Sequence, residues 1–231
     1  MALYDEEPWF VESGLKPSLS PLLPDALKRE TAALHAQVER SAFMGLLLRG
    51  QMSRRGYLLL LRSLHAIYAA LEPALARHVD DALLGPLYFP ALLREPSLRS
   101  DLDTLHGAGW REALAVQPTA IRYAEHLQKL DDAQPQLLVA HSYVRYLGDL
   151  SGGQLLARIV RDTLALPAGA GTAFYEFGSA IETAQRRQAY REGLDGLTPD
   201  PATTSAIVAE AVLAFELHGQ LFDELAGAIN R

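Results

Sequence analysis

The sequence predicts an all-α fold: one domain, built as an irregular helical bundle. Three observations predict it. Apolar residues recur at three- and four-residue intervals through most of the chain. No strand-like alternation is sustained, and no hairpin signal stands out. Capping residues and prolines fall where the helical stretches begin and end. With 231 residues, 49% hydrophobic and 21% charged, the chain has the length for one domain and the apolar surface for a large core.

Residues 1–24 read as an extended leader, broken by Pro17, Pro21 and Pro24. A helix is expected from near Asp25, which serves as its cap, with Leu27, Leu34 and Val38 on the apolar side. Gly45 and Gly50 mark a break. Ser53 caps a long apolar helix from Arg54 to His78, which Pro73 should bend or interrupt. Residues 79–96 hold three prolines and read as loop with short helical pieces. Helical segments fit 97–106, 109–116 and 119–131, and a long helix spans Pro135 to Leu164 with the proline in its first turn. A Gly- and Ala-rich connection over 165–178 follows. Ser179 and Glu182 form a capping-box pattern for a helix to about Leu194, and a last helix runs from Ala202 to Leu225.

Composition narrows the chemistry. The absence of cysteine excludes disulfides, thiolate nucleophiles, and Cys-held zinc or iron–sulfur sites. It also fits a cytoplasmic setting. Twenty-one basic against 28 acidic residues give a net charge of −7, a poor balance for general binding to nucleic acid or anionic membrane. The acidic opening residues lack a signal-peptide pattern, no fully apolar stretch approaches a membrane span, and a monomer is the default expectation.

Four groups of residues stand out. On the first helix, Lys28, Thr31, His35, Val38 and Glu39 share a sector. There His35 is either a single axial iron ligand, with Glu39 as acceptor for its other nitrogen, or an ordinary half-buried histidine. In the segment Tyr143 to Gln154, Gly148, Gly152 and Gly153 interrupt a helical pattern. Each costs roughly 1 kcal/mol relative to alanine. That notch admits either another helix or a flat ligand. Arg145 and Asp149, one turn apart beside the notch, either order water near a ligand or form a surface ion pair. Arg186, Arg187 and Arg191 form a basic cluster that is either a carboxylate-binding face or a solvated one.

The run Tyr146-Leu147-Gly148-Asp149-Leu150-Ser151-Gly152-Gly153-Gln154 closely resembles the distal-helix signature of haem oxygenases. The resemblance extends over about residues 24–225, through Thr31, His35, Glu39 and Phe43-Met44, Ile67-Tyr68, Ala70-Leu71-Glu72, Tyr88-Phe89-Pro90, Leu138-Val139-Ala140-His141 and Gln220-Leu221-Phe222. It implies a fold in which haem b is clamped between a proximal and a distal helix. By that resemblance His35 is the proximal iron ligand, with Glu39 beside it. Gly148, Gly152 and Gly153 let the distal helix cross the ring, and Asp149, supported by Arg145, organises distal water. Lys28, Tyr143, Arg187 and Arg191 hold the propionates or line the pocket, and Phe215 touches the ring. The implied reaction opens haem to biliverdin, carbon monoxide and ferrous iron, with α-meso cleavage expected. Haem is both substrate and cofactor, and dioxygen and external electrons are consumed. The resemblance implies a ferredoxin or flavoprotein reductase as electron donor and allows a downstream biliverdin acceptor.

By the same resemblance, His65 stands where mammalian members carry a distal-side tyrosine, and His218 where they carry an asparagine. Contact of either with Asp149 would make activity pH-sensitive. Three other readings stay open. A haem-binding or haem-transfer protein without turnover would not need Asp149. A thiaminase-like enzyme would be expected to carry a cysteine or paired acids. A purely structural helical protein leaves the glycine notch unexplained.

Overall fold

The computed structural model describes residues 22–167 and 169–229, and among these every regular element is helical. Ten α-helices occur in order: α1 (Leu23–Glu39), α2 (Ala42–Leu48), α3 (Arg54–Arg77), α4 (Glu95–Leu105), α5 (Trp110–Ala113), α6 (Pro118–Ala133), α7 (Leu138–Ser142), α8 (Gly148–Leu164), α9 (Ala180–Asp195) and α10 (Pro201–Ile229). Most of the expected leader, residues 1–21, lies outside the described residues.

Helix α1 starts two residues earlier than expected. Leu22 is its N-cap without a side-chain cap, Pro24 sits in the first turn, and Asp25 lies inside the helix. Pro24 needs no amide partner there, and Asp25 acts on the positive end of the helix dipole instead of capping it. The first break falls at Arg40–Ser41 rather than at Gly45, because the Ser41 hydroxyl accepts from Met44 N and opens α2 around Gly45. Gly50, at φ +64°, serves the turn that follows.

Ser53 accepts from Gly56 N at 3.0 Å and caps α3. The helix continues through Pro73; Ala69, whose carbonyl loses its donor there, is exposed to water. Sixteen of its residues are buried, so α3 is the central post, packed on α6 and α4. Helix α10 packs on α1, α7, α2 and α6. By length and composition alone, α3 and α10 are apolar enough to cross a membrane, although charged residues interrupt both. In α3, 78% of the apolar window is buried within the protein, as befits a core helix.

The expected helix from Pro135 to Leu164 is one continuous run of three kinds of turn. A 3₁₀ turn (Pro135–Leu137) leads into α7, a π-helical turn (Tyr143–Leu147) follows, and α8 resumes at Gly148. The widened turn carries Tyr143 and Arg145 just before the glycines. At α9 both halves of the Ser179–Glu182 capping box form.

Candidate functional site

Arg145 and Asp149 do not form a surface ion pair: their side chains are only 10% and 8% exposed. Arg145 Nη2 donates to Asp149 Oδ1 at 2.8 Å, and its Nε donates to the Tyr68 hydroxyl at 3.0 Å. Its Nη1 donates to His218 Nε2 at 2.6 Å. Tyr68 in turn donates to the second oxygen of Asp149. The π-helical turn, α8, α3 and α10 each contribute to this array. Burial pushes the Asp149 carboxyl up, while Arg145 and the Tyr68 hydroxyl hold it down. Because Nδ1–H of His218 donates to Ala214 O at 2.9 Å, its Nε2 is the lone-pair nitrogen that Arg145 needs. Burial, and then Arg145, lower His218 to about 3, so it is neutral.

His218 therefore joins the Asp149 array through Arg145. His65 does not. It bonds Glu95 Oε1 at 3.1 Å and packs edge-on against Trp110 at 4.9 Å. The tyrosine on the Asp149 side is Tyr68, one turn further along α3. Sequence reading gave Tyr68 no role, although a fully buried tyrosine hydroxyl usually finds a partner.

The glycines divide into two kinds. A methyl group added at Gly148 would meet nothing within 4 Å, and one at Gly152 only Leu156 at 4.0 Å. One at Gly153 would lie 3.1 Å from Tyr175 O. Gly148 and Gly152 thus face open space, whereas Gly153 admits the loop behind α8. That loop is firmly held. Asp101 accepts from Ala173 N and Phe174 N at 2.8 Å, and Arg94 donates to Glu176 O at 2.9 Å.

On α1, Lys28, His35 and Glu39 are exposed. His35 Nδ1 lies 3.7 Å from Glu39 Oε2, close enough for charge interaction but beyond hydrogen-bond range. The imidazole meets the buried Phe215 of α10 edge-on at 5.7 Å. Its Nε2 makes no hydrogen bond among the described residues. Tyr143 links the two helix systems: burial raises its hydroxyl, and Thr31 of α1 and the charge of Arg191 both act to lower it. Helix α9 packs on both α1 and α8. On α9, Arg187 is half-buried and Arg191 exposed, and neither forms an ion pair among the described residues. Arg186 departs from this basic cluster: it donates to Phe177 O and pairs with Glu182 at 3.8 Å, securing the entry to α9.

The arrangement sets an unencumbered imidazole on one helix, a glycine face on another, and a buried Asp–Arg–Tyr–His array beside that face. The "Heme oxygenase" family model matches residues 22–224. Heme oxygenase 1 of Homo sapiens is 40% identical over 205 residues, 88% of this chain and 71% of that protein. The solved structure of heme oxygenase-2 from Synechocystis sp. PCC 6803, in complex with heme and NO, superposes with a TM-score of 0.86 at 38% identity, covering 91% of this chain and 87% of that one. Heme oxygenase from Leptospira interrogans gives a TM-score of 0.83 at 34% identity, over 87% of this chain and 98% of that one. The chain belongs to the haem oxygenase family.

Its residues fit the group that this family implies. Gly148 and Gly152 leave room for a flat ring against the helix backbone. His35 offers a nitrogen with no competing partner among the described residues, in the manner of a proximal haem histidine.

Proposed function

We propose that the protein degrades haem oxidatively, opening the porphyrin at the α-meso carbon to give biliverdin, carbon monoxide and ferrous iron. His35 holds the iron, and Lys28, Arg187 and Arg191 receive the two propionates as charge-assisted hydrogen bonds. Tyr143 and Phe215 line the pocket, and Gly148 and Gly152 bring the helix backbone close to the ring. Haem supplies both the redox-active iron and the carbon skeleton that is cut.

The observation that carries this reading is the buried Asp149–Arg145–Tyr68–His218 array next to the open glycine face. A carrier of haem needs an iron ligand and anchors, but gains nothing from a buried carboxylate there. An enzyme gains a fixed acceptor that orders water and positions a proton over the ring. His218 is locked neutral by Ala214 O and fixes Arg145, which in turn fixes Asp149.

Dioxygen and external electrons are required, and a ferredoxin or flavoprotein reductase supplies the latter. The protein works in the cytoplasm, as a monomer, without membrane or nucleic-acid partners. The test is aerobic turnover of the purified haem complex with such a donor. Loss of the haem spectrum with stoichiometric biliverdin release supports the proposal. Stable haem, or loss of haem without biliverdin, refutes it.

A further inference from the structure

A second cluster of ligating side chains lies where α6, α7 and α10 meet, and the haem chemistry uses none of it. His126 of α6 and His141 of α7 both direct Nε2 at the same carboxylate oxygen, Oε1 of Glu210 on α10. The separations are 2.6 and 2.8 Å. One ligand atom from each of the three residues falls within a span of 4.8 Å. His141 is fully buried and Glu210 nearly so, while the His126 side chain is 30% exposed.

We propose that His126, His141 and Glu210 form a binding site for a divalent first-row transition ion of the Zn²⁺ or Co²⁺ type. Two imidazoles and one carboxylate are the donor set of three-ligand zinc sites, and the half-exposed edge at His126 leaves a fourth position for water. Two nitrogens and one oxygen suit zinc or cobalt better than calcium or magnesium, which take oxygen ligands. Without metal, protons fill the same role, because each imidazole can donate its Nε2–H to Glu210. The ion takes the place of those protons at Nε2, each of which moves to Nδ1 of the same ring, and a second proton on either imidazole competes with the ion, so binding weakens as pH falls. The ligand atoms need only move apart slightly to surround it.

The surroundings match what a metal-bound histidine requires. A histidine bound through Nε2 keeps its proton on Nδ1 and donates it to a fixed acceptor. The Tyr123 hydroxyl lies 2.9 Å from His141 Nδ1 and can accept that bond. Tyr123 also packs edge-on against His218 at 5.4 Å, so the site adjoins the array that holds Asp149.

The test is titration of the full-length haem-free protein with Co²⁺, read in the visible d–d bands, followed by displacement with Zn²⁺. The proposal expects intense bands that saturate at one equivalent and bleach on adding Zn²⁺. They should survive in His35→Ala and vanish in His126→Ala and Glu210→Gln. Tyr123→Phe should weaken Co²⁺ binding by about 10- to 100-fold. His126 lies at the edge of the core, so His126→Ala decides the matter even if Glu210→Gln misfolds; its far-UV circular dichroism should match the parent's. The proposal is overturned if the parent shows no bands, if they persist in His126→Ala, or if His35→Ala abolishes them.

Discussion

At Arg145 each guanidinium nitrogen is committed: Nε to Tyr68, Nη1 to His218, Nη2 to Asp149. His218 serves this geometry only while neutral. Its folded value of about 3 lies below the roughly 6.5 of an unfolded histidine. The unfolded chain therefore takes up a proton that the folded one refuses. The stability involved is whole above pH 6.5 and is lost as pH falls toward 3. Between pH 7 and pH 5, the parent should lose about 2 kcal/mol more than His218→Asn. Denaturant unfolding of both proteins at the two pH values measures this, and parallel losses would contradict it. His35 is the second decisive residue. His35→Ala should fold normally, bind haem without the iron–histidine signature in resonance Raman spectra, and regain axial ligation on adding imidazole. An unchanged signature without imidazole would remove His35 from the iron.

At the level of elements, α8 pays for its glycines in helix stability, and the two kinds of glycine separate by experiment. Gly148 has ordinary helical angles, φ −61° and ψ −49°, and open space where a methyl would go. Gly148→Ala should therefore stabilise the haem-free protein by up to about 1 kcal/mol while weakening haem binding. Gly153→Ala meets Tyr175 O in a loop that Asp101 and Arg94 hold in place, so it should destabilise the protein. Thermal unfolding with haem titration checks both. The sequence disclosed most of these elements, because the Ser53 and Ser179 caps and the periodicity of α3 and α10 are local signals. It did not disclose the π-helical turn, which rests on how α7 and α8 pack rather than on residue preference. Nor did it separate Gly153 from Gly148, since what a missing side chain faces is decided by Tyr175, a residue distant in sequence. Whether His65 reaches Asp149 is hidden from the sequence for a similar reason. His65 and Tyr68 lie three apart on one helix, and only the packing of α3 turns the tyrosine toward Asp149 and the histidine toward Trp110.

At the scale of the molecule, the bundle divides the labour. In the proposed function α1 presents the ligand for iron and α9 the cations that hold the propionates, while the α7–α8 run with α3 and α10 builds the buried array. In a chain of net charge −7, Lys28, Arg187 and Arg191 have no ion-pair partner among the described residues, which keeps them available for an anionic ligand. Arg187→Gln or Arg191→Gln should weaken haem binding by roughly 1.5–3 kcal/mol. Loss of an anchor should also alter the distribution of biliverdin isomers. Unchanged affinity and isomer in the single and combined variants would exclude both arginines as anchors. The central claim is that binding and ring oxidation rest on different residues, with Asp149 serving only the second. Asp149→Asn keeps the shape and an acceptor for Arg145 but removes the carboxylate charge. The direct measurement is a paired assay of this variant, haem titration followed by aerobic turnover with the same electron donor. The account expects stoichiometric haem binding at near-parent affinity with biliverdin formation strongly reduced; stoichiometric binding with biliverdin released at the parent rate would contradict it.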